Sequence, residues 1–391
     1  MAGSVISKYW GVYLNDFMRL MGWNANTNLT FGSFHIDIAP IIIVAFFTTL
    51  LVFGTKIGAR VDGAMTVLKI AIVFFVVIVG FFYVKASNFT PFIPPSQPAS
   101  TVEGSSAVTG VMTQPLWQFA TGMTPSVYGV PGILSGAALV FFAFIGFDVV
   151  ATASEETKNP HKNVPLGIGV GMLLIIVMYM LVAVVTTGMV SYADLAKQDS
   201  PSLATAFELV GADWAAKIIS FGIVLGLATV VMVLLLGLTR IVFAMSRDGL
   251  LPRGLSKTGK HGTPAALQIV VGAVVALVAA FFDIGVLSDM VNIGTLSAFT
   301  LVAISIPIMR KKRPDLPRAF KMPGSPWIPI LIAVANFWLM LNLSVLTWIR
   351  FVVWLVVGFA IYFGYGYWHA RLGKGDLTET LSAETDKAVN G

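Results

Sequence analysis

A lysine and an aspartate lie inside long apolar runs of the sequence, where an ionised side chain is costly. Lys69 belongs to a run from Gly63 to Val84, and Asp148 belongs to a run from Gly132 to Ser154. Charged residues at membrane depth are rare, and by default they mark paths of protons, ions or ligands. These two residues are therefore the first candidates for chemistry.

The depth of Lys69 leaves its ammonium group three possibilities. Lys69 follows Gly63 by six residues, which is about 9 Å along a helix that rises 1.5 Å per residue. The ammonium binds carbonyl or carboxylate partners, releases its proton because desolvation disfavours the charge, or snorkels to the aqueous surface. We expect a buried lysine that binds and releases a proton, with snorkelling as the alternative.

Asp148 follows a glycine closely in an aromatic stretch that reads FFAFIGFD from Phe141. Gly146 permits backbone conformations that end a helix, and the backbone groups freed at such a break bind the charged groups of a ligand. We therefore expect a broken helix at Gly146. The alternative is a packing glycine, with Asp148 bonded to a neighbouring helix.

Familiar catalytic and metal-binding motifs are missing from the sequence. Its four histidines stand far apart, it contains no cysteine, and it has neither an HExxH nor a GxSxG motif. Those motifs carry zinc peptidase and serine hydrolase chemistry. We expect no enzyme activity, no cofactor and no metal site.

The composition requires a bilayer around the candidate residues. Of the 391 residues, 57% are hydrophobic and 11% are charged, and the mean hydropathy is +0.85. Such a chain has too little polar surface to cover a soluble globule of its size. The net charge of +6 is explained by the placement of Lys and Arg in membrane topology, so we expect no nucleic-acid partner.

Nine apolar runs are long enough to cross a hydrocarbon core of about 30 Å, which takes about 20 residues per helix. Most contain Gly or Pro among aliphatic and Phe residues and lack the alternation of barrel strands, so we predict helices. The runs are Ile36–Gly54, Gly63–Val84, Gly132–Ser154, Pro165–Val190, Trp214–Met245, Pro264–Phe282, Asp289–Met309, Trp327–Leu346 and Trp348–Trp368.

Basic residues concentrate in alternate loops, those that follow the first, third, fifth, seventh and ninth runs. These residues are Lys56, Arg60, Lys158, Lys162, Arg247, Arg253, Lys257, Lys260, Arg310, Lys311, Lys312, Arg313, Arg318, Lys321, Arg371 and Lys374. The opposite loops carry Lys85, Lys197, Lys217 and Arg350. By the positive-inside rule, the carboxy terminus is predicted to be cytoplasmic and the segment before Ile36 to lie outside.

The remaining segments frame one membrane domain over residues 36–370. Residues 1–23 lack the features of a signal peptide, and we predict the outer part of a helix whose inner part is absent. The loop at 84–131 is predicted to be mostly a connector, and the loop at 191–212 to hold short interfacial helices. The polar tail at 371–391 is predicted to be disordered.

The stretch from Phe141 to Ile168, FFAFIGFDVVATASEETKNPHKNVPLGI, resembles the sixth helix and following loop of permeases in the amino acid/polyamine/organocation (APC) superfamily. The closest likeness is to its cationic amino acid transporter branch. Residues 237–252 look like that family's eighth helix and cytoplasmic exit, and residues 292–296 and 313–318 look like its tenth helix and the next loop. The resemblance extends to the tail, so the nine runs correspond to family helices four to twelve.

The resemblance implies an all-α polytopic membrane protein with two inverted five-helix repeats, in which substrate is held between broken helices one and six. It implies that this chain lacks the first two helices and part of the third. By position, it implies that Phe142 is an aromatic lid and that Ala143, Ile145 and Gly146 line the substrate pocket. Asp148 occupies the position of an acidic residue seen in relatives.

Lys69 matches the helix-five lysine that proton-coupled members place where sodium-coupled relatives bind an ion. The resemblance thus implies secondary active transport of an amino acid across the cytoplasmic membrane by alternating access, with a proton as second partner. Two alternatives stay open: an amino acid or polyamine exchanger or uniporter, and a non-transporting sensor or partner-dependent fragment. A neutral or hydrophobic substrate fits as well as a cationic one, and the oligomeric state is open.

Overall fold

The computed structural model describes residues 1–23, 27–31, 34–53, 56–101, 110–147, 150, 157, 159–198, 201–257, 263–315, 322 and 324–370. The predicted tail, 371–391, lies outside the described residues. Two short antiparallel strand pairs occur in the described part. In the first, β1 (Asn28–Phe31) pairs with β2 (Phe34–Asp37), and in the second, β3 (Gln97–Pro98) pairs with β4 (Ser126–Val127).

The rest of the described fold is a bundle of apolar helices joined by short helices and turns. The α-helices are α1 (Ala2–Leu20), α2 (Ile38–Phe53), α3 (Lys56–Phe81), α4 (Leu116–Thr121), α5 (Gly129–Val140), α6 (Pro160–Met189), α7 (Tyr192–Ala196), α8 (Leu203–Leu209), α9 (Asp213–Arg247), α10 (Ala265–Phe281), α11 (Ile284–Lys312), α12 (Trp327–Leu341), α13 (Val345–Ile361) and α14 (Tyr367–His369).

Each of the nine predicted runs corresponds to one of these apolar helices, although several helices extend beyond the run. Among the described residues, five helices are long and apolar enough to cross a membrane: Gly63–Phe81, Lys162–Met189, Asp213–Arg247, Ile284–Lys312 and Val345–His369. The other four runs give the shorter apolar helices α2, α5, α10 and α12. The prediction of an all-α polytopic membrane protein is confirmed.

Helix α6 begins earlier than the apolar run to which it corresponds, Pro165–Val190. Pro160 is the first residue of α6, preceded by Asn159 in the left-handed conformation (φ 50°, ψ 58°). Proline suits this position because its fixed φ is helical and its missing N–H has no partner there. Pro165, the predicted start of the span, lies inside the helix instead.

The short helices predicted between residues 191 and 212 are present. Ser191 caps α7 by accepting a hydrogen bond from the Asp194 backbone N–H, and Ser202 caps α8 by accepting one from the Thr205 backbone N–H. Such caps satisfy N–H groups that have no carbonyl partner in the first helical turn. The two caps stabilise α7 and α8, which are too short to be stable as isolated helices.

Two ion pairs attach α1 to its neighbours. Lys8 is 9% exposed, pairs with Asp37 and donates a hydrogen bond of 2.9 Å to the Phe282 carbonyl at the end of α10. Near the carboxyl end of α1, the Arg19 guanidinium makes two hydrogen bonds, of 3.0 and 2.8 Å, to the Glu208 carboxylate of α8. Bidentate pairs of this kind fix geometry as well as charge.

The longest helix, α9, lies at the centre of the bundle. Half of its apolar stretch is buried inside the protein, against 6% of the apolar stretch of α6. Helix α9 contacts α1, α2, α3, α8 and α10. Its approach to α3 depends on Gly222, since an added Cβ there would lie 2.5 Å from both Cγ1 and Cδ1 of Ile72. The glycine lets the two helices pack closely, as small residues do in membranes.

We expect Gly222→Ala to lower the stability of the folded protein by about 1–3 kcal/mol, the usual cost of overpacking. Thermal unfolding of the purified protein in detergent measures this effect. Gly171→Ala in α6 is the matched control, because an added Cβ there meets no atom within 4 Å. Equal unfolding temperatures for the two variants would contradict the close contact of α3 with α9.

Candidate functional site

The helix that carries the predicted break is interrupted where the sequence indicates. After α5 the chain forms a single 3₁₀ turn over Phe141–Phe144, and Ile145 then becomes extended at φ −70° and ψ 135°. Gly146 follows with φ 122°, a conformation that side-chain-bearing residues rarely adopt and glycine adopts readily. The predicted break at Gly146 is therefore present, and it leaves backbone groups of this segment outside any helix.

A tyrosine from another helix holds the interrupted segment in place. The Tyr179 hydroxyl of α6 donates a hydrogen bond of 2.8 Å to the Ala143 carbonyl, and the Tyr179 ring contacts the Phe144 ring at 5.2 Å between centroids. Sequence reasoning missed Tyr179. Its signal was faint: it is the single tyrosine in the thirty residues of α6.

Helix α11 supports the segment on both sides of the break. The amide of Asn292, which is fully buried, donates a hydrogen bond of 3.1 Å to the Ala138 carbonyl of α5. Phe299, two turns further along α11, contacts the ring of Phe141 at 6.2 Å and the ring of Phe147 at 5.3 Å. The ends of the break are therefore fixed relative to α11.

The break opens onto a cavity of about 210 Å³. Ligand pockets for drug-sized molecules span about 300–1,000 Å³, so this volume suits a smaller molecule. The described residues that line the cavity are Met1, Ala2, Gly3, Ile145, Gly146, Leu234, Leu235, Gly237, Leu238, Ile241, Val275, Val291 and Thr295. Among them Thr295 carries the single side-chain hydroxyl, and none carries a charged side chain.

The five predicted pocket residues have four different placements. Ile145 and Gly146 line the cavity. Phe142 lies beside it, packed with Ile145 against the cluster that contains the cavity residue Val291. Ala143 contributes its carbonyl to the hydrogen bond described above, and Asp148 lies outside the described residues. The structure therefore brings four of the five predicted residues into one segment beside the cavity.

Lys69 lies on α3, against a different part of the central helix α9. It is half-buried on α3, and its aliphatic stem rests on α9, where a Cβ added at Gly226 would lie 3.2 Å from Lys69 Cγ. The cavity residue Leu234 follows Gly226 by eight positions on α9, which is about 12 Å at 1.5 Å per residue. Lys69 is thus separate from the cavity but shares α9 with it.

Comparisons with known proteins agree with this architecture. The family model described as "Amino acid permease" matches residues 4–366. The chain is 39% identical to the branched-chain amino acid permease BcaP of Bacillus subtilis (strain 168), over 96% of this chain and 75% of that protein. It is 38% identical to the methylthioribose transporter of the same organism, over 85% of this chain and 65% of that protein.

A plant relative is more distant. The chain is 34% identical to the vacuolar cationic amino acid transporter 4 of Arabidopsis thaliana, over 72% of this chain and 42% of that protein. The chain thus spans three quarters of the length of the first of these relatives and less than two thirds of the other two. By the family match and these identities, the chain belongs to the amino acid permease family, which consists of multi-pass membrane transporters and not of enzymes.

Proposed function

We propose that this chain forms the binding core of a secondary transporter that moves an apolar, neutral amino acid across the cytoplasmic membrane by alternating access. The observation that carries the proposal is the helix broken at Gly146 beside an apolar cavity. Broken helices at mid-membrane are the usual binding elements of such transporters. In this proposal the carboxy terminus is cytoplasmic, and residues 1–23 are part of a membrane helix.

The termini of the broken helix supply the groups that an amino acid needs. Helix α5 runs toward the break, so its carbonyl end carries partial negative charge there and attracts the substrate ammonium. The substrate side chain occupies the cavity, where Leu234, Leu235 and Val275 provide apolar contacts. Phe142 covers the cavity as a lid, packed against the ends of α1 and α11.

The cavity lining favours an apolar substrate over a cationic one. A cationic side chain buried in the site needs a carboxylate partner, and the described lining residues offer none. The relative named a branched-chain amino acid permease supports the same choice, since branched-chain side chains are apolar.

Lys69 is the coupling residue in this proposal. It binds a proton in one conformation of the transporter and releases it in the other.

Reconstitution of the full-length protein into proteoliposomes tests the substrate class. We expect uptake of radiolabelled leucine that unlabelled isoleucine and valine inhibit and that lysine leaves unchanged. Uptake of lysine in preference to leucine would contradict the apolar substrate. Leucine binding without flux would identify a sensor in place of a transporter.

Lys69→Ala is expected to abolish leucine accumulation driven by a pH gradient, because the group that carries the proton is removed, while leucine–leucine exchange continues. Accumulation measured against the imposed pH gradient checks this. Lys217→Ala is the matched control, since Lys217 is an exposed lysine of α9. Undiminished accumulation with an intact pH dependence in Lys69→Ala would exclude Lys69 as the coupling residue.

Tyr179→Phe is expected to raise the KM for leucine about 2- to 10-fold, because it removes a hydrogen bond worth about 0.5–1.5 kcal/mol and keeps the ring contact with Phe144. Initial rates of uptake give KM and kcat for the variant. Tyr9→Phe, which removes a hydroxyl from an exposed tyrosine of α1, is the control. Unchanged KM in Tyr179→Phe would show that the bond to the Ala143 carbonyl has no part in binding.

A further inference from the structure

A second cavity, of about 560 Å³, lies at the opposite end of α5 from the break, the end that we assign to the outside. It lies between the start of α5, the end of α6 and the loop that follows α3. Seven of its fifteen described lining residues are aromatic or proline, and a few others carry hydroxyl groups. The lining includes the large side chains of Phe89, Phe92, Tyr128, Ile133 and Tyr192.

The walls of this aromatic compartment are held by backbone contacts. Strands β3 and β4 pair Pro98 with Ser126. Tyr128 and Gly129 both adopt positive φ, of 61° and 57°, and a Cβ added at Gly129 would lie 3.1 Å from the Ser96 backbone nitrogen. The loop therefore packs directly on the first turn of α5. The positive φ of Tyr128 is costly for a residue with a side chain, and strained residues of this kind cluster at functional sites.

A polar cavity of about 500 Å³ adjoins the aromatic compartment. Asn88 lines both cavities, and the neighbouring residues Ser191 and Tyr192 each line one of them. Among the described residues that line this polar compartment are one ammonium group, Lys85, and one carboxylate, Asp194. The shared Asn88 and the adjacent Ser191 and Tyr192 place the two cavities side by side, and the charged groups lie in the second.

The two charges differ in their existing partners. The Asp194 carboxylate accepts hydrogen bonds from the Ser191 hydroxyl at 2.7 Å and the Lys197 ammonium at 3.2 Å. These bonds lower the pKa of Asp194, so its carboxylate is ionised at neutral pH. Lys85 has no carboxylate within 4.0 Å in the described part of the chain. Its ammonium is available to an anionic group.

We propose that the aromatic and polar compartments form an outer binding site for one zwitterionic amino acid with an apolar side chain. The side chain lies among Phe92, Tyr128 and Tyr192, and the carboxylate pairs with Lys85. Asp194 contributes negative potential for the ammonium. This site is distinct from the cavity at Gly146, and its ligand chemistry follows from its own lining residues.

Site-specific thiol labelling tests the outer site, because the sequence contains no cysteine. Ser126→Cys places one thiol in the aromatic compartment of the full-length protein in membrane vesicles. A small membrane-impermeant thiosulfonate is applied from outside with and without leucine. We expect leucine to slow labelling saturably, by about tenfold at about ten times its half-saturating concentration. Ser87→Cys, on an exposed residue of the same loop, is the unprotected control.

Two further variants distinguish protection by leucine bound at the outer site from an indirect effect of leucine bound in the cavity at Gly146, here called the central cavity. In the Ile145→Trp background, where the larger side chain fills the central cavity, protection of Ser126→Cys by leucine is expected to persist. In the Lys85→Gln background it is expected to weaken at least several-fold. Protection that disappears with Ile145→Trp, or that is unchanged with Lys85→Gln, would overturn the proposal. Failure of leucine uptake with protection intact would overturn the proposed transport function alone.

Discussion

Backbone polar groups inside a bilayer have no water to bond, so they must find partners within the protein. This constraint decides where a membrane helix can be broken. At residues 141–146 the chain leaves the helical pattern, and Tyr179 of α6 supplies a hydroxyl for the Ala143 carbonyl. Asn292 of α11 adds an amide donor to α5 just before the break. The donors come from two other helices, so the break exists only in the assembled bundle.

The central helix α9 joins the two regions that the proposed transport cycle needs. Gly222 and Gly226 admit α3 closely, and the Lys69 stem rests on the second of these glycines. Leu234 and Leu235, further along the same helix, line the cavity beside the break. Displacement of α9 relative to α3 therefore alters both the surroundings of Lys69 and the shape of the cavity. In the proposed cycle, this shared helix is the route by which protonation of Lys69 acts on substrate binding over about 12 Å.

The sequence predicted the features that local composition determines. Apolar runs of about 20 residues predict helices because the bilayer demands them, and a glycine in an aromatic stretch predicts the break at Gly146. Contacts between distant residues were not predictable in this way. Tyr179 lies 36 positions from Ala143, and Lys8 of α1 pairs with Asp37 of β2. The start of α6 was also missed, because a proline at its first position, Pro160, lies outside the apolar run.

The two proposed binding sites lie at opposite ends of one short helix. Helix α5 has 12 residues, so its ends are about 18 Å apart, too far for one amino acid to touch both. The outer end is fastened by the β3–β4 pairing and the Ser96 contact with Gly129. The inner end is fastened by Asn292. Helix α5 is thus held at both ends, and the irregular backbone lies just outside it, at Tyr128 before its start and at Gly146 beyond its end.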